Sequence, residues 1–268
     1  MKRIAPHKIQ ELQRKVFDWY ALHKRDLPWR RTKDPYLILL SEVMLQQTQV
    51  SRVVPKYLAF IKKFPTVGAL ARGRKATILR LWSGLGYNSR ALRLRELAKI
   101  VVRDHAGRFP TSEEALGALP GIGPYTLRAV QIFAWNRNVA AIDTNIRRIL
   151  IREFKVASSA SERDLQALAL SCLPRGKSRV WHNALMDYGA LLITSRVTRI
   201  RPLTRRSRFK DSRRYYRGQI VKSLLAQKTT SLDALRAAYP AASHDLATIV
   251  AALVREGVLR EQNGLLQI

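Results

Sequence analysis

The sequence predicts an all-α protein that ends in a short β-hairpin. Apolar residues recur at helical spacing through most of the first two hundred positions. Gly, Pro, Asn and Ser punctuate the joints, and alternating apolar–polar runs are few. Taken in order, the helical segments are 9–20, 36–54 (stopped by Pro55), 57–64, 76–83, 89–105, 112–119, 126–135, 145–151, 161–173 and 179–192.

From 196 to 217 the composition shifts. Arg196, Arg199, Arg201, Arg205, Arg206, Arg208, Lys210, Arg213, Arg214 and Arg217 crowd together, opposed only by Asp211. So one-sided a charge reads as a basic arm that needs an anionic partner. Helical patterns then cover 216–226, 231–238 and 245–256. Ser231 caps the second, Asp233 lies in its first turn, and Gly257 stops the third. Two short strands, 258–260 and 265–268, flank the hairpin signal Asn263-Gly264. Three helices and a terminal hairpin describe a winged helix. The expected domains are 1–195, a basic linker 196–212, and a winged-helix-like module 213–268. That module is expected to grip DNA; packing on its neighbour is the alternative.

The 268 residues suffice for one larger and one small domain, and 47% are hydrophobic, enough for a real core. Against 19 Asp plus Glu stand 49 Lys plus Arg, a net charge of +30. That balance points to a polyanion, nucleic acid first and an anionic membrane surface second. No apolar run is long enough to span a bilayer and no signal peptide with a cleavage site is present, so no membrane partner and a cytoplasmic, nucleoid-associated site are expected. The one cysteine, Cys172, lies in an apolar run and reads as a buried structural thiol. The five histidines show no metal-ligand spacing.

Residues 119–126, Leu-Pro-Gly-Ile-Gly-Pro-Tyr-Thr, read as a tight turn between helices. Pro120, Gly121 and Gly123 let the backbone turn sharply and approach a ligand. Thr126 and the residues after it open a helix whose first N–H groups suit a phosphate. Asp143 is a lone carboxylate in an apolar and basic neighbourhood. A phosphate cradle with an acid downstream suggests chemistry on a nucleic acid. Taken alone, an ordinary helix connection and an N-capping aspartate account for it equally well.

Further motifs join these: Leu27-Pro28-Trp29-Arg30, the run 41–50 (Ser-Glu-Val-Met-Leu-Gln-Gln-Thr-Gln-Val), the run 84–91 (Gly-Leu-Gly-Tyr-Asn-Ser-Arg-Ala) and Asp143-Thr144-Asn145. Together, over about residues 12–194, the chain resembles the helix-hairpin-helix DNA glycosylase superfamily, and within it most of all the MutY-type adenine glycosylases. The resemblance implies two all-α lobes with a DNA cleft between them. The middle helices form one lobe; the N-terminal helix and the helices after Asp143 form the other. The hairpin anchors the DNA backbone through Gly121, Ile122, Gly123, Tyr125 and Thr126. Gln47 and Tyr87 wedge into the base stack, with Gln46 and Asn88 beside them. Trp29, Arg30 and Leu45 line the base pocket, and Asn183 stands where relatives carry a longer Glu or Gln. The implied partner is duplex DNA with a mismatched or damaged base, bound by a monomer.

Breaking an N-glycosidic bond requires a better leaving group and a stabilised oxocarbenium-like sugar. Two carboxylates in different environments can divide that work. Glu42, in the strongly apolar segment 37–45, is expected to be kept protonated by burial and to donate to a purine ring nitrogen. Asp143 is expected to stay ionised and face the sugar. Tyr125 occupies the position where strand-cutting relatives carry a lysine; a tyrosine cannot form a Schiff base. It can position Asp143, which predicts excision without strand cleavage.

The chain also departs from its relatives. Residues 189–196 hold none of the four cysteines that bind their iron–sulfur cluster. No cofactor is expected, a monovalent cation at the hairpin being the one ion the resemblance admits. The basic arm, through Arg205, Arg206 and Arg208, is expected to present charge to the phosphates instead. The module that reads 8-oxoguanine is missing. Asn88 replaces a second aromatic, and Thr144 sits where glycine is usual. The expected activity is removal of adenine mispaired with G or 8-oxoguanine. A thymine/uracil mismatch glycosylase and a non-catalytic DNA-binding protein are the rivals.

Overall fold

The computed structural model describes residues 4–198, 200 and 209–268. Arg205, Arg206 and Arg208, expected on DNA, lie outside the described residues, as do Arg199 and Arg201. The chain begins with α1 (Pro6–His23), a 3-10 turn at Pro28–Arg31, and α2 (Pro35–Leu45). The predicted single helix 36–54 is broken at 46–49, where Gln47 takes a left-handed φ of 56°. α3 (Val50–Lys63) then runs through Pro55 rather than stopping there. The proline deletes one N–H, the one that pairs with the carbonyl of exposed Ser51, so water can serve that carbonyl.

α4 (Val67–Ala71), too short to show a period, is capped by Thr66. α5 (Lys75–Trp82), α6 (Ser89–Asp104), α7 (Glu113–Gly117), α8 (Pro124–Trp135), α9 (Thr144–Phe154), α10 (Glu162–Ser171), α11 (Ser178–Leu191) and α12 (Ser195–Thr198) follow. The carboxyl end is α13 (Arg213–Gln227), β1 (Thr229–Ser231), α14 (Leu232–Ala238), α15 (Leu246–Arg255), β2 (Arg260–Gln262) and β3 (Leu265–Gln267).

Two compact units result. The first is Met1–Leu39 with Ile122–Arg205; the second is Leu40–Gly121 with Arg206–Ile268. In the first unit α11 is the central helix, packed on α1, α8 and α9. Its Trp181, Ala184 and Tyr188 meet Val16, Ile149 and Cys172 in one core. Burial pushes the Cys172 thiol up to about 12, so it is an inert core thiol. His182 of α11 is also buried. Its Nδ1 bonds the Ser178 carbonyl at 2.8 Å, and its Nε2 accepts from the Ala141 N–H at 3.2 Å. Both contacts suit a neutral ring.

Burial lowers the His182 pKa to about 4, against about 6.5 in an unfolded chain. The unfolded state therefore binds the extra proton first, and stability falls as pH drops from 6.5 to 4, by up to about 1.4 kcal/mol per pH unit. Urea unfolding midpoints at pH 7.5 and 5 are expected to differ by less in His182→Asn than in the native chain; an equal difference excludes His182 as the source.

In the second unit α4 packs on α6, and α5 lies against α3 and α6. α13 packs on α5, and Leu79 of α5 belongs to the same core as Ile220, Leu224, Ile249, Leu253 and Leu266. The three strands form an antiparallel sheet in the order β1-β3-β2. Asn263 and Gly264 turn the β2–β3 hairpin with φ of 52° and 72°, the primed-turn geometry that asparagine and glycine accept. The element order is that of a winged helix. β1 gave no signal because three residues show no alternation. Thr248, Ala251 and Arg255 are exposed on α15.

Candidate active site

The hairpin joins α7 to α8. Gly121 has φ +86°, which only glycine adopts easily, and a Cβ there would touch Arg93 Cβ at 3.5 Å. Gly123 is different. Its φ of −91° suits any residue; it is the N-cap of α8, and nothing lies within 4 Å of where its Cβ would be. Its lack of a side chain leaves the start of α8 without a side-chain cap. Pro124 takes the first helical position, where no N–H is needed. Tyr125 is half-buried and Thr126 buried.

Asp143 is the N-cap of α9. Its Oδ1 accepts from the N–H of Asn145 at 2.9 Å and of Ile146 at 2.8 Å. Its Oδ2 accepts from Asn145 Nδ2 at 2.8 Å. Arg148 Nη2 donates to Asn145 Oδ1 at 2.6 Å, and the same guanidinium reaches the carbonyls of Gly189 and Ile193. Arginine only donates, so it sets the Asn145 amide with its NH2 toward Asp143. Gly189 makes room for this: a Cβ there would come within 2.7 Å of Asn145 Cβ. Burial pushes the Asp143 pKa above its ordinary value, while the Ile146 and Asn145 donors and the Arg148 charge pull it back. The two backbone N–H groups and the Asn145 amide all donate to the carboxylate, an arrangement made for the ionised form. The capping and the catalytic readings of Asp143 are therefore compatible, since the cap holds the carboxylate in one rotamer.

Arg30 is held in an ion pair. Its Nη1 and Nη2 grip Asp187 of α11 at 2.7 and 2.8 Å, and Nη1 also donates to the Arg25 carbonyl. Arg25 adds its Nε at 2.6 Å and its backbone N–H at 3.0 Å to the same carboxylate. This clamp ties the turn that carries buried Trp29 to α11. Asn183, one turn earlier on α11, is half-buried.

The second unit carries Glu42, Leu45, Gln46, Gln47, Tyr87 and Asn88. Glu42 is 8% exposed on α2, with Leu39, Leu40, Ser41, Val43 and Met44 buried around it in sequence. Gln47 and Tyr87 lie on the loops after α2 and α5, both exposed and both at positive φ, and Tyr87 Oη donates to Gln47 Oε1 at 2.9 Å. Beneath them lies buried Arg90, which the sequence did not single out. The site residues thus divide between the units: Trp29, Arg30, Tyr125, Asp143 and Asn183 in one, Glu42, Leu45, Gln47 and Tyr87 in the other. Among the described residues no group of three His, Cys, Asp or Glu could hold a metal ion, and no helix is long and apolar enough to cross a membrane.

A glycine hairpin that opens a helix without a side-chain cap, followed by an aspartate that caps the next helix, is consistent with a helix-hairpin-helix protein. Residues 40–175 match the HhH-GPD superfamily of base excision DNA repair proteins. The chain belongs to this superfamily. It is 42% identical over 187 residues to the adenine DNA glycosylase of Mycolicibacterium smegmatis, a match over 69% of this chain and 64% of that protein. It is 34% identical over 193 residues to the thymine/uracil-DNA glycosylase of Methanothermobacter thermautotrophicus, covering 69% of this chain and 87% of that one. The solved structure of a thermostable thymine-DNA glycosylase superposes with a TM-score of 0.65 at 31% identity, over 71% of this chain and 89% of that one. The match thus spans under two thirds of the adenine glycosylase's length.

Proposed function

We propose that this protein is a monofunctional DNA glycosylase that hydrolyses the N-glycosidic bond of mispaired adenine in duplex DNA and leaves an abasic site. The observation that carries the reading is the pair of site carboxyls: Glu42, buried on an apolar helix, and Asp143, held by the Asn145 and Ile146 donors at the start of α9. A carboxylic acid that carries its proton can protonate a purine ring nitrogen. As the C1′–N bond breaks, the base leaves with that proton. Positive charge develops on the sugar, the Asp143 carboxylate stabilises it, and water adds to C1′, giving up a proton that restores the acid lost from Glu42. The target base has to leave the stack first. Gln47 and Tyr87 take its place, and the start of α8 holds a phosphate through its N–H groups and the helix dipole.

The 42% identity to an adenine glycosylase supports adenine as the base. A thymine/uracil mismatch glycosylase is the second reading, favoured by the match along 87% of such an enzyme. Duplexes carrying A, T or U opposite G, C or 8-oxoguanine separate the two: release of T or U and not A replaces the first reading by the second.

Tyr125 in place of a lysine predicts an abasic product with an intact strand. Gel analysis before and after alkali checks this. Strand breaks that appear without alkali, at the rate of base release, contradict the monofunctional reading.

A further inference from the structure

We propose that Arg90 is a positioning residue that presets Gln47 and Tyr87 as a wedge by holding the peptide unit that precedes each of them. The proposal rests on the reading of Gln47 and Tyr87 as the residues that enter the base stack.

Arg90 Nη1 donates to the carbonyls of Val43 and, at 2.9 Å, Gln46; Nη2 donates to those of Leu85 at 3.3 Å and Gly86 at 3.1 Å. One guanidinium therefore spends two donors on the end of α2 and the turn after it, and two on the loop after α5. Gln46 and Gly86 are the residues immediately before Gln47 and Tyr87, the two side chains at φ 56° and 49°. A non-glycine residue in that region is strained and persists only where its surroundings impose it. Locking the preceding carbonyl fixes the peptide plane about which that φ is measured. The Arg90 guanidinium also lies 5.5 Å from the ring centroids of both Tyr87 and Trp82, so the tyrosine ring rests on the same group. Trp82 Nε1 adds a further bond to the Gly86 carbonyl at 3.1 Å.

Helix stability does not account for this arginine. It lies in the first turn of α6, where a cation opposes the helix dipole. It is buried, burial lowers its pKa to about 10, and its Nε finds no partner among the described residues. What it gains is the four carbonyls. Val43 adjoins Glu42, so the same group also closes the last turn of the helix that carries the proposed acid.

A lysine keeps the charge but cannot reproduce the two-by-two fork. The test uses the whole protein and duplex DNA with 2-aminopurine beside an A·G mismatch, whose fluorescence rises when the stack opens. Arg90→Lys is expected to lose most of that rise at saturating protein, and its single-turnover release of adenine to slow on the order of 10²-fold. In a Gln47→Ala/Tyr87→Phe background the further change from Arg90→Lys is expected to be small, because the group acts through those side chains. A full fluorescence rise in Arg90→Lys, or losses that multiply across the two backgrounds, overturns the proposal. If Arg90→Lys melts well below the native chain, Arg90→Gln, which buries no charge, takes its place in both comparisons. Native protein that opens the stack but releases no adenine refutes the adenine reading and leaves Arg90 to be decided by fluorescence. Native protein that never opens the stack removes the wedge and this proposal with it.

Discussion

Glu42→Gln and Asp143→Asn are each expected to slow base release by about 10²–10⁴-fold while DNA binding persists. Glutamine keeps the size of the buried Glu42 side chain but has no carboxyl proton to give. At position 143 the damage has a second source. An asparagine can still cap α9 through its oxygen, but its NH2 then faces the NH2 of Asn145. Asn145 cannot turn to help, because Arg148 needs its oxygen. Single-turnover release on an A·G duplex, with binding followed by fluorescence anisotropy, checks both. A variant that loses binding in step with release points to a folding defect; one that keeps its rate is no part of the chemistry. The direction of the Asp143 pKa adds a pH signature. Burial raises it, so release is expected to fall as pH drops through a value above the ordinary carboxylate range.

The other large effect falls on stability. Asp187 is fully buried and accepts from both Arg25 and Arg30, whose side chains are largely covered. Asp187→Ala leaves two guanidinium groups and the Arg25 N–H without their acceptor. Breaking a buried pair from one side costs about 3–5 kcal/mol, a large share of a domain's margin. The loss is measured as a lower urea midpoint; an unchanged midpoint shows that water or a neighbour replaces the carboxylate. The clamp also responds to acid. Burial alone raises the Asp187 pKa, but the Arg30 bonds, the Arg25 N–H and the neighbouring charges outweigh it, and the group stays below the usual carboxylate range. Its stabilisation is complete above the unfolded value of about 3.9 and is lost as pH falls through the folded one. Asp187→Asn is expected to remove that part of the acid sensitivity.

What the sequence made legible was what neighbouring residues decide. The hairpin, the cap signal at Ser231 and the Asn263-Gly264 turn each announce a local geometry, and the helices follow from their apolar period. The break at 46–49 was hidden because Leu45 to Val54 keeps a helical pattern. It is long-range bonding, from Arg90 to the Gln46 carbonyl, that holds the turn. The Arg30–Asp187 clamp was hidden for the same kind of reason: the partners are 157 residues apart, and no spacing pairs them. Glu42 and Asp143 could be named from motifs, but the Asn145–Arg148 relay that aims Asp143 takes its meaning from Gly189 and Ile193 on a distant segment.

The packing of α13 on α5 bears on how this architecture can be inherited. A module with its own closed core can be traded between proteins as a cassette. Here Leu79 lies inside the module's core, and Leu92 packs against it from α6. A graft that replaces residues 213–268 bares both leucines, and a transplant of those residues elsewhere arrives with a socket where Leu79 belongs. The two stretches are heritable only as a matched set, although more than a hundred residues of chain separate them.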